Sequence, residues 1–286
     1  MRLVFVHGMR QEGRPAAALL RAWRDSLYGA WDRLGLARPA IEPEMPYYGD
    51  TLDQLTRELH GGSNVIGRGG AGGDVSPVEE AMIREFATVY GVEDAEVRAE
   101  LGSEVIAKGP ANWEWVQAIG RVLERRVPLF RTIGISLVVQ VDAYLNRPHV
   151  TQAVDEIVAP QFKSGPVVIV SHSLGTIVSY RLLRQTKFAD VPLLVTLGSP
   201  LGINAVKDRI APPKLARPVQ VGHWLNGSDE RDFVALYASL DAKTFCDGIE
   251  NVIDIHNSQD DAHSILDYLK DERIARSIHV VLSSEE

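Results

Sequence analysis

Residues 166–180 read Pro-Val-Val-Ile-Val-Ser-His-Ser-Leu-Gly-Thr-Ile-Val-Ser-Tyr, and this stretch decides the fold. Its first half is a continuous apolar run, which is typical of a strand that is covered on both faces of a sheet. From Leu174 onwards the apolar residues recur at helical spacing instead. The stretch therefore predicts a strand, a tight turn at Ser173 and a helix in direct succession.

Similar apolar runs recur along the chain and are separated by amphipathic, helix-like segments. The further strand-like runs are residues 3–6, 193–197, 219–225 and 252–255. Residues 16–34 illustrate a helical segment, because Leu19, Leu20, Trp23, Leu27 and Trp31 fall on roughly one face. Strands that alternate with helices predict an α/β fold, with a mostly parallel sheet flanked by helices on both sides.

Residues from about 50 to 150 interrupt this alternation. A glycine-rich piece at 61–73 is followed by helix-like segments around 78–90, 113–126 and 129–145. Because the glycine run contains no Gly-Lys-Ser/Thr, we interpret it as a flexible loop rather than a phosphate cradle. The length and pattern together predict one domain, 1–286, that carries an inserted, mainly helical subdomain at 50–150.

The composition excludes several classes of function. The chain has 286 residues with 30 Lys and Arg against 38 Asp and Glu, a net charge of −8. This sign disfavours nucleic acid and anionic membranes as partners, since both attract basic surfaces. The single cysteine, Cys246, cannot form an internal disulfide and suits a reducing compartment. No metal or organic cofactor is expected.

The most apolar stretch, residues 127–145, does not predict a membrane span. Arg131, Gln140 and Asp142 interrupt it, and it falls short of the roughly 20 apolar residues that a transmembrane helix needs. A strand-like run that starts at residue 2 leaves no room for the charged and apolar regions of a signal peptide. The expected location is therefore the cytoplasm.

Ser173 is the candidate nucleophile, because it lies where the apolar strand ends and the helix begins. This is the context of a nucleophile elbow, a tight turn that exposes a serine hydroxyl at the edge of a sheet. The turn closes only if the residues two before and two after the serine are small, and Ser171 and Gly175 meet that requirement. The alternative is that the Ser173 hydroxyl only caps the helix.

A serine hydroxyl needs an imidazole to take its proton and a carboxylate to orient that imidazole. The elbow predicts the chain order Ser, Asp or Glu, His. Three carboxylates follow the strand-like run at 219–225, of which Asp232 is the leading candidate and Asp229 the second, ahead of Glu230. His263, in a polar loop before an apolar helix, is the candidate base, and His256 is its rival. His172 is expected to point away from Ser173.

The oxyanion that forms during attack on a carbonyl needs preorganised amide donors. The amide of Leu174, directly after the candidate nucleophile, supplies the first. Gly8 and Met9 follow an apolar strand that ends in His7, and their amides are the candidates for the second donor. The alternative is that Gly8 simply ends a strand.

Several segments carry a resemblance to a known family. They are Val-Phe-Val-His-Gly at 4–8, Val-Ser-His-Ser-Leu-Gly-Thr at 170–176, Leu-Gly-Ser-Pro-Leu-Gly at 197–202, Trp-Leu-Asn-Gly-Ser-Asp with Arg-Asp-Phe-Val-Ala at 224–235, and Asp-Ala-His-Ser at 261–264. This set resembles the α/β-hydrolase superfamily. It is most similar to the lipase-like branch that includes the GPI-inositol-deacylase-like serine esterases.

The resemblance implies a triad of Ser173, Asp232 and His263. In that branch a Trp-x-Asn segment precedes an Asp-x-Val, and this pattern matches Asp232 rather than Asp229. The two strands that usually precede the His-Gly strand have no counterpart here, which implies a trimmed sheet of about six strands. A second departure is Ser171, which stands where esterases of this type commonly have glycine.

Together these observations predict a soluble serine hydrolase that cleaves a carboxylic ester, with a small-molecule or lipid acyl ester as substrate. An acyltransferase, thioesterase or peptidase on the same triad is an alternative, and so is a non-catalytic binding or signalling protein. The insertion is expected to form a cap that decides the substrate and that could mediate a homodimer. Its apolar residues line an acyl pocket or form an ordinary helical core; they include Trp113, Trp115, Leu129, Phe130, Leu137 and Val138.

Overall fold

A computed structural model describes residues 1–59, 75–101, 113–163, 165–185, 190–211 and 213–284. These residues contain a five-stranded sheet in which every neighbouring pair of strands is parallel. Its strands lie side by side in chain order, as β1 (Arg2–Val6), β2 (Val167–His172), β3 (Val191–Leu197), β4 (Val221–Gly227) and β5 (Glu250–Val252). The predicted α/β class with a mostly parallel sheet is confirmed.

The number of strands is smaller than the resemblance implied. The described residues form five strands rather than about six, one for each apolar run in the sequence. β4 also starts later than expected, because Val221 N–H closes a turn onto the Pro218 carbonyl and leaves Val219 97% exposed. No described part of the chain supplies a further strand at either edge of this sheet.

Helices pack on both faces of the sheet. The described helices are α1 (Ala16–Arg33), α2 (Gly49–Leu59), α3 (Pro77–Val89), α4 (Asp94–Glu100), α5 (Trp113–Arg126), α6 (Pro128–Asn146), α7 (Pro148–Val158), α8 (Leu174–Gln185), α9 (Asn204–Ile210), α10 (Ile265–Tyr268) and α11 (Glu272–Ser283). None of them is both long enough and apolar enough to span a bilayer.

Successive side chains of a strand point to opposite faces of the sheet, and on the two faces they pack into two separate hydrophobic cores. Leu3 and Phe5 of β1 belong to a core shared with α1 and α11, whereas Val4 and Val6 belong to a second core, which contains α8 and the helices α2 to α7. The Trp31 indole N–H donates to the Ala275 carbonyl at 2.8 Å and joins α1 to α11. β1, β2 and β3 are buried along almost their whole length, which explains their apolar runs, whereas β4 and β5 carry exposed residues such as His223 and Glu250.

The described part of the predicted insertion is helical and packs on the second core. Three aromatic rings contact one another with centroids 5.2 to 5.8 Å apart: Phe86 in α3, Phe130 in α6 and Phe233. Phe130, Leu137 and Val138 are buried in this core, and Trp115 and Leu129 pack against it. The helices therefore lie directly against the segment that follows Asp232. The glycine-rich run at 61–73 lies outside the described residues, as does the side chain of Trp113.

Candidate active site

Ser173 occupies the turn between β2 and α8, as the sequence predicted. Its φ of 54° lies in the left-handed region, which is uncommon for a residue with a side chain. Two contacts hold it there: its N–H donates to the Leu197 carbonyl of β3 at 3.1 Å, and its carbonyl accepts from the Thr176 N–H at 2.9 Å. Strained backbone of this kind persists where the surroundings fix it, and it is common at active sites.

Two glycines allow the end of β1 to approach this turn. A Cβ on Gly175 would collide with the carbonyl oxygens of Val6 and His7, and a Cβ on Gly8 would lie only 2.6 Å from the Ser173 Cβ. The same Cβ on Gly8 would lie 3.2 Å from the Ser173 Oγ. The loop after β1 therefore passes directly beside the serine hydroxyl.

The structure brings Asp232 and His263 together, although they are 31 residues apart. The His263 Nδ1 lies 2.7 Å from the Asp232 Oδ2, and both side chains are buried. A carboxylate can only accept, so Nδ1 carries the proton, and in the neutral ring Nε2 keeps its lone pair. Asp232 is held in turn by the Tyr268 hydroxyl, which donates to Oδ2 at 2.7 Å, and by the Val234 N–H, which donates to Oδ1 at 3.0 Å.

His263 and Ser173 flank the same piece of backbone at the carboxyl end of β3. The Ser173 N–H bonds to Leu197, and a Cβ on the next residue, Gly198, would lie 2.9 Å from the His263 Nδ1. Gly198 also has a φ of 53°. Both this backbone conformation and the closeness of His263 require a residue without a side chain at position 198. The Ser173 Oγ and the His263 Nε2 are both buried, and neither forms a hydrogen bond with any described residue.

His172 contacts the candidate base, His263, through a hydrogen bond and through its ring. Its Nε2–H donates to the His263 backbone carbonyl at 2.9 Å. The two imidazole rings lie 4.3 Å apart between centroids. Burial first and the nearby His263 second hold the pKa of His172 well below its ordinary value, so this ring is neutral.

The second carboxylate candidate, Asp229, has a different set of partners. Arg231 donates to both of its oxygens, and the Asn257 N–H donates to Oδ2 at 2.7 Å. Burial alone would raise the pKa of Asp229, but these bonds outweigh it and lower that pKa. Asp229 therefore anchors the loop that leads to His263. The third carboxylate, Glu230, and the rival imidazole, His256, are both exposed.

The candidate oxyanion donors belong to the two segments that adjoin Ser173, the start of α8 and the loop after β1. Leu174 begins α8, so its N–H has no acceptor within the helix. Met9 follows Gly8 in the loop beside the Ser173 Oγ, and its N–H donates to no acceptor in the described chain. The amides of Leu174 and Met9 therefore remain candidates for the two donors, and so does the amide of Gly8.

Sequence reasoning assigned no role to three residues that contact the candidate triad: Tyr268, Gly198 and His172. Each contact joins segments that are distant along the chain, which no local pattern encodes. The one available signal was the Leu-Gly-Ser-Pro segment at 197–200, where a glycine directly ends an apolar strand. Among the described residues, no group of His, Cys, Asp and Glu side chains could hold a metal ion.

Comparison with known proteins adds no family assignment, because no family model, curated protein or solved structure matches this chain.

Proposed function

We propose that the protein is a serine hydrolase that cleaves carboxylic esters through an acyl-enzyme intermediate. The observation that carries this proposal is the Asp232–His263 pair. The His263 Nε2 has no hydrogen-bond partner among the residues that the structure describes, and it lies at the same sheet edge as the strained, buried Ser173. A buried imidazole with one nitrogen fixed by a carboxylate and the other available is suited to act as a general base.

In the proposed reaction, His263 Nε2 takes the proton of the Ser173 hydroxyl as Oγ bonds to the ester carbonyl carbon. Asp232 keeps Nδ1 protonated and stabilises the imidazolium. The amides of Leu174 and Met9 stabilise the oxyanion, and His263 then protonates the leaving alcohol. Water, activated by the same imidazole, attacks the acyl-enzyme and releases the acid. In serine hydrolases the hydrogen bond between base and nucleophile is often long or unformed without substrate, and it tightens in the Michaelis complex. We expect the same of His263 and Ser173.

The substrate class that we propose is an acyl ester with an apolar acyl chain. The described surroundings of the site favour it, because the loop after β1 and the segment after Asp232 both continue into the apolar core: Met9 and Phe233 are each buried there. A non-catalytic binding protein is the second candidate, and the missing hydrogen bond between Ser173 and His263 favours it.

Hydrolysis of p-nitrophenyl esters of increasing chain length separates the two candidates. We expect turnover by the wild-type protein and a loss of at least about a thousandfold for Ser173→Ala and for His263→Ala. Ser277→Ala is the matched control and should retain full activity, because the Ser277 hydroxyl donates only to the Arg273 carbonyl of its own helix, α11. Wild-type protein without turnover on any ester, or equal turnover by Ser173→Ala, would contradict the proposal.

A further inference from the structure

His7 is a buried imidazole beside the candidate site that the proposed reaction does not use. It directly follows β1, and its exposed fraction is 0%. Its Nδ1 lies 2.8 Å from the Gly8 carbonyl oxygen, and its Nε2 lies 3.1 Å from the Tyr48 N–H. A carbonyl only accepts and an amide N–H only donates, so Nδ1 carries the proton and Nε2 accepts. Both ring nitrogens therefore have defined roles.

The hydrogen bond from His7 to the Gly8 carbonyl also orients the next amide, the N–H of Met9. In a trans peptide the C=O and the following N–H point in opposite directions. By holding the Gly8 carbonyl, the His7 ring fixes the direction of the Met9 N–H. This peptide belongs to the same loop whose Gly8 lies against the Ser173 Oγ.

A second side chain holds the other end of Met9. The Gln11 side-chain amide donates to the Met9 carbonyl at 2.9 Å, and the Tyr47 hydroxyl donates to the Gln11 carbonyl at 2.5 Å. Tyr47 and Tyr48 directly precede α2, so the loop is tied to this helix from both ends. The Met9 amide is thus flanked by two carbonyls that are each fixed by a side chain.

The surroundings keep the His7 ring neutral. Burial lowers its pKa to about 4. Its ring stacks on that of Tyr48 with centroids 4.0 Å apart, and the Tyr48 hydroxyl donates to the His7 carbonyl. A neutral ring retains the lone pair that accepts the Tyr48 N–H, so the imidazole stays in one orientation.

We propose that His7 is a positioning residue, which directs the Met9 amide towards the oxyanion of the tetrahedral intermediate. This inference rests on the proposed serine hydrolase activity. It predicts that His7 affects the chemical step rather than substrate binding, because an oxyanion donor acts mainly on the transition state.

The test compares three variants by kcat and KM on a p-nitrophenyl ester. His7→Leu removes the donor to Gly8. His7→Asn places an amide N–H near the position of Nδ1, whereas His7→Gln places one near Nε2. We expect His7→Leu and His7→Gln to lower kcat by about 10- to 100-fold with KM within about threefold, and His7→Asn to recover most of kcat. His149→Leu, exposed on α7, is the control and should match the wild type.

An aryl boronic acid, which forms a tetrahedral adduct on an active serine, provides a second readout. Its inhibition constant should rise in parallel with the loss of kcat across the variants. If His7→Leu does not fold, the His7→Asn and His7→Gln pair still decides the question.

The outcomes separate this inference from the proposed function. Wild-type protein without esterase activity overturns both. Active wild-type protein with unchanged kcat in His7→Leu and His7→Gln, or with His7→Asn as impaired as either, overturns the role of His7 alone.

Discussion

The Nε2–H of His172 donates to the backbone carbonyl of His263, and the two rings lie 4.3 Å apart. The residue before the candidate nucleophile therefore holds the candidate base in place. This arrangement joins the end of β2 to the loop after β5, and it makes the position of each functional group depend on the other.

His172→Leu removes this bond, and we expect kcat for ester hydrolysis to fall by about 10-fold, the equivalent of one buried hydrogen bond. His172→Gln carries an amide N–H near the position of Nε2 and should retain kcat within about threefold. Steady-state kinetics, with thermal unfolding measured in parallel, checks this prediction. Equal loss of kcat in both variants would show that the ring, and not its donor, matters.

Tyr268→Phe tests the hydrogen bond from the Tyr268 hydroxyl to the Asp232 carboxylate. The Tyr268 hydroxyl donates to Asp232 and accepts the Asp229 N–H at 3.0 Å. Its loss therefore leaves the buried Asp229 N–H without this partner and removes one of the bonds that hold Asp232, which keeps those from His263 and Val234. We expect the free energy of unfolding to fall by about 2 to 3 kcal/mol, measured by urea denaturation. Tyr28→Phe, which removes one half-buried bond to the Ile41 carbonyl, is the matched control and should cost about 1 kcal/mol or less. A smaller loss for Tyr268→Phe than for Tyr28→Phe would contradict this account.

The buried histidines predict a loss of stability in acid. Burial lowers the pKa of His7 to about 4, against an ordinary value of 6.5. Between these values the unfolded chain binds the proton more readily, so the contribution of His7 to stability is present above about pH 6.5 and is lost as the pH falls towards 4. By pH 5 the loss from His7 alone is about 2 kcal/mol. His172 acts in the same direction.

Urea denaturation at pH 7 and pH 5 checks the sign. The wild-type protein should lose more stability over this interval than His7→Asn, which has no titrating group at that position. Parallel losses in the two proteins would rule out the assigned role of His7 in acid sensitivity.

The contribution of Glu79 to the free energy of unfolding should depend on pH in the opposite direction. Burial, helped by Asp142, raises the pKa of Glu79 to about 7, against an ordinary value of 4.5. The folded chain therefore binds the proton more readily, and the contribution of Glu79 is fully present below pH 4.5 and is lost as the pH rises through 7. Glu79→Gln keeps an acceptor for the Ser76 N–H, which lies 2.8 Å from Oε2, and removes the buried charge.

We expect Glu79→Gln to be more stable than the wild type at pH 8 by up to about 3 kcal/mol, and equally stable near pH 4.5. Glu58→Gln, on the exposed face of α2, should leave stability unchanged at both pH values. Thermal denaturation at the two pH values measures the difference. Destabilisation by Glu79→Gln at pH 8 would contradict the prediction.

The sequence was most informative where one local pattern carried the signal. Four of the five apolar runs became parallel strands over most of their length, whereas the run at 252–255 shares only Val252 with β5. Ser173 could be placed at a turn because the pattern changes from strand to helix within one residue. The expected sixth strand came from the resemblance and had no run of its own.

Contacts between distant segments could not be read in this way. The pairing of Asp232 with His263 followed from the expected chain order, but the bonds from Tyr268 and His172 depend on how α10 and the turn after β2 pack together. His7 lies 41 residues before Tyr48 in the sequence, and only the fold brings the two rings into contact.

Reaction with a fluorophosphonate probe, followed by mass spectrometry of the digested protein, tests the central claim most directly. The account predicts one covalent phosphonyl adduct, on Ser173, that forms much more slowly in His263→Ala and not at all in Ser173→Ala. Wild-type protein that remains unlabelled, or that carries its adduct on another residue, would contradict the claim that Ser173, His263 and Asp232 act together to activate a serine hydroxyl.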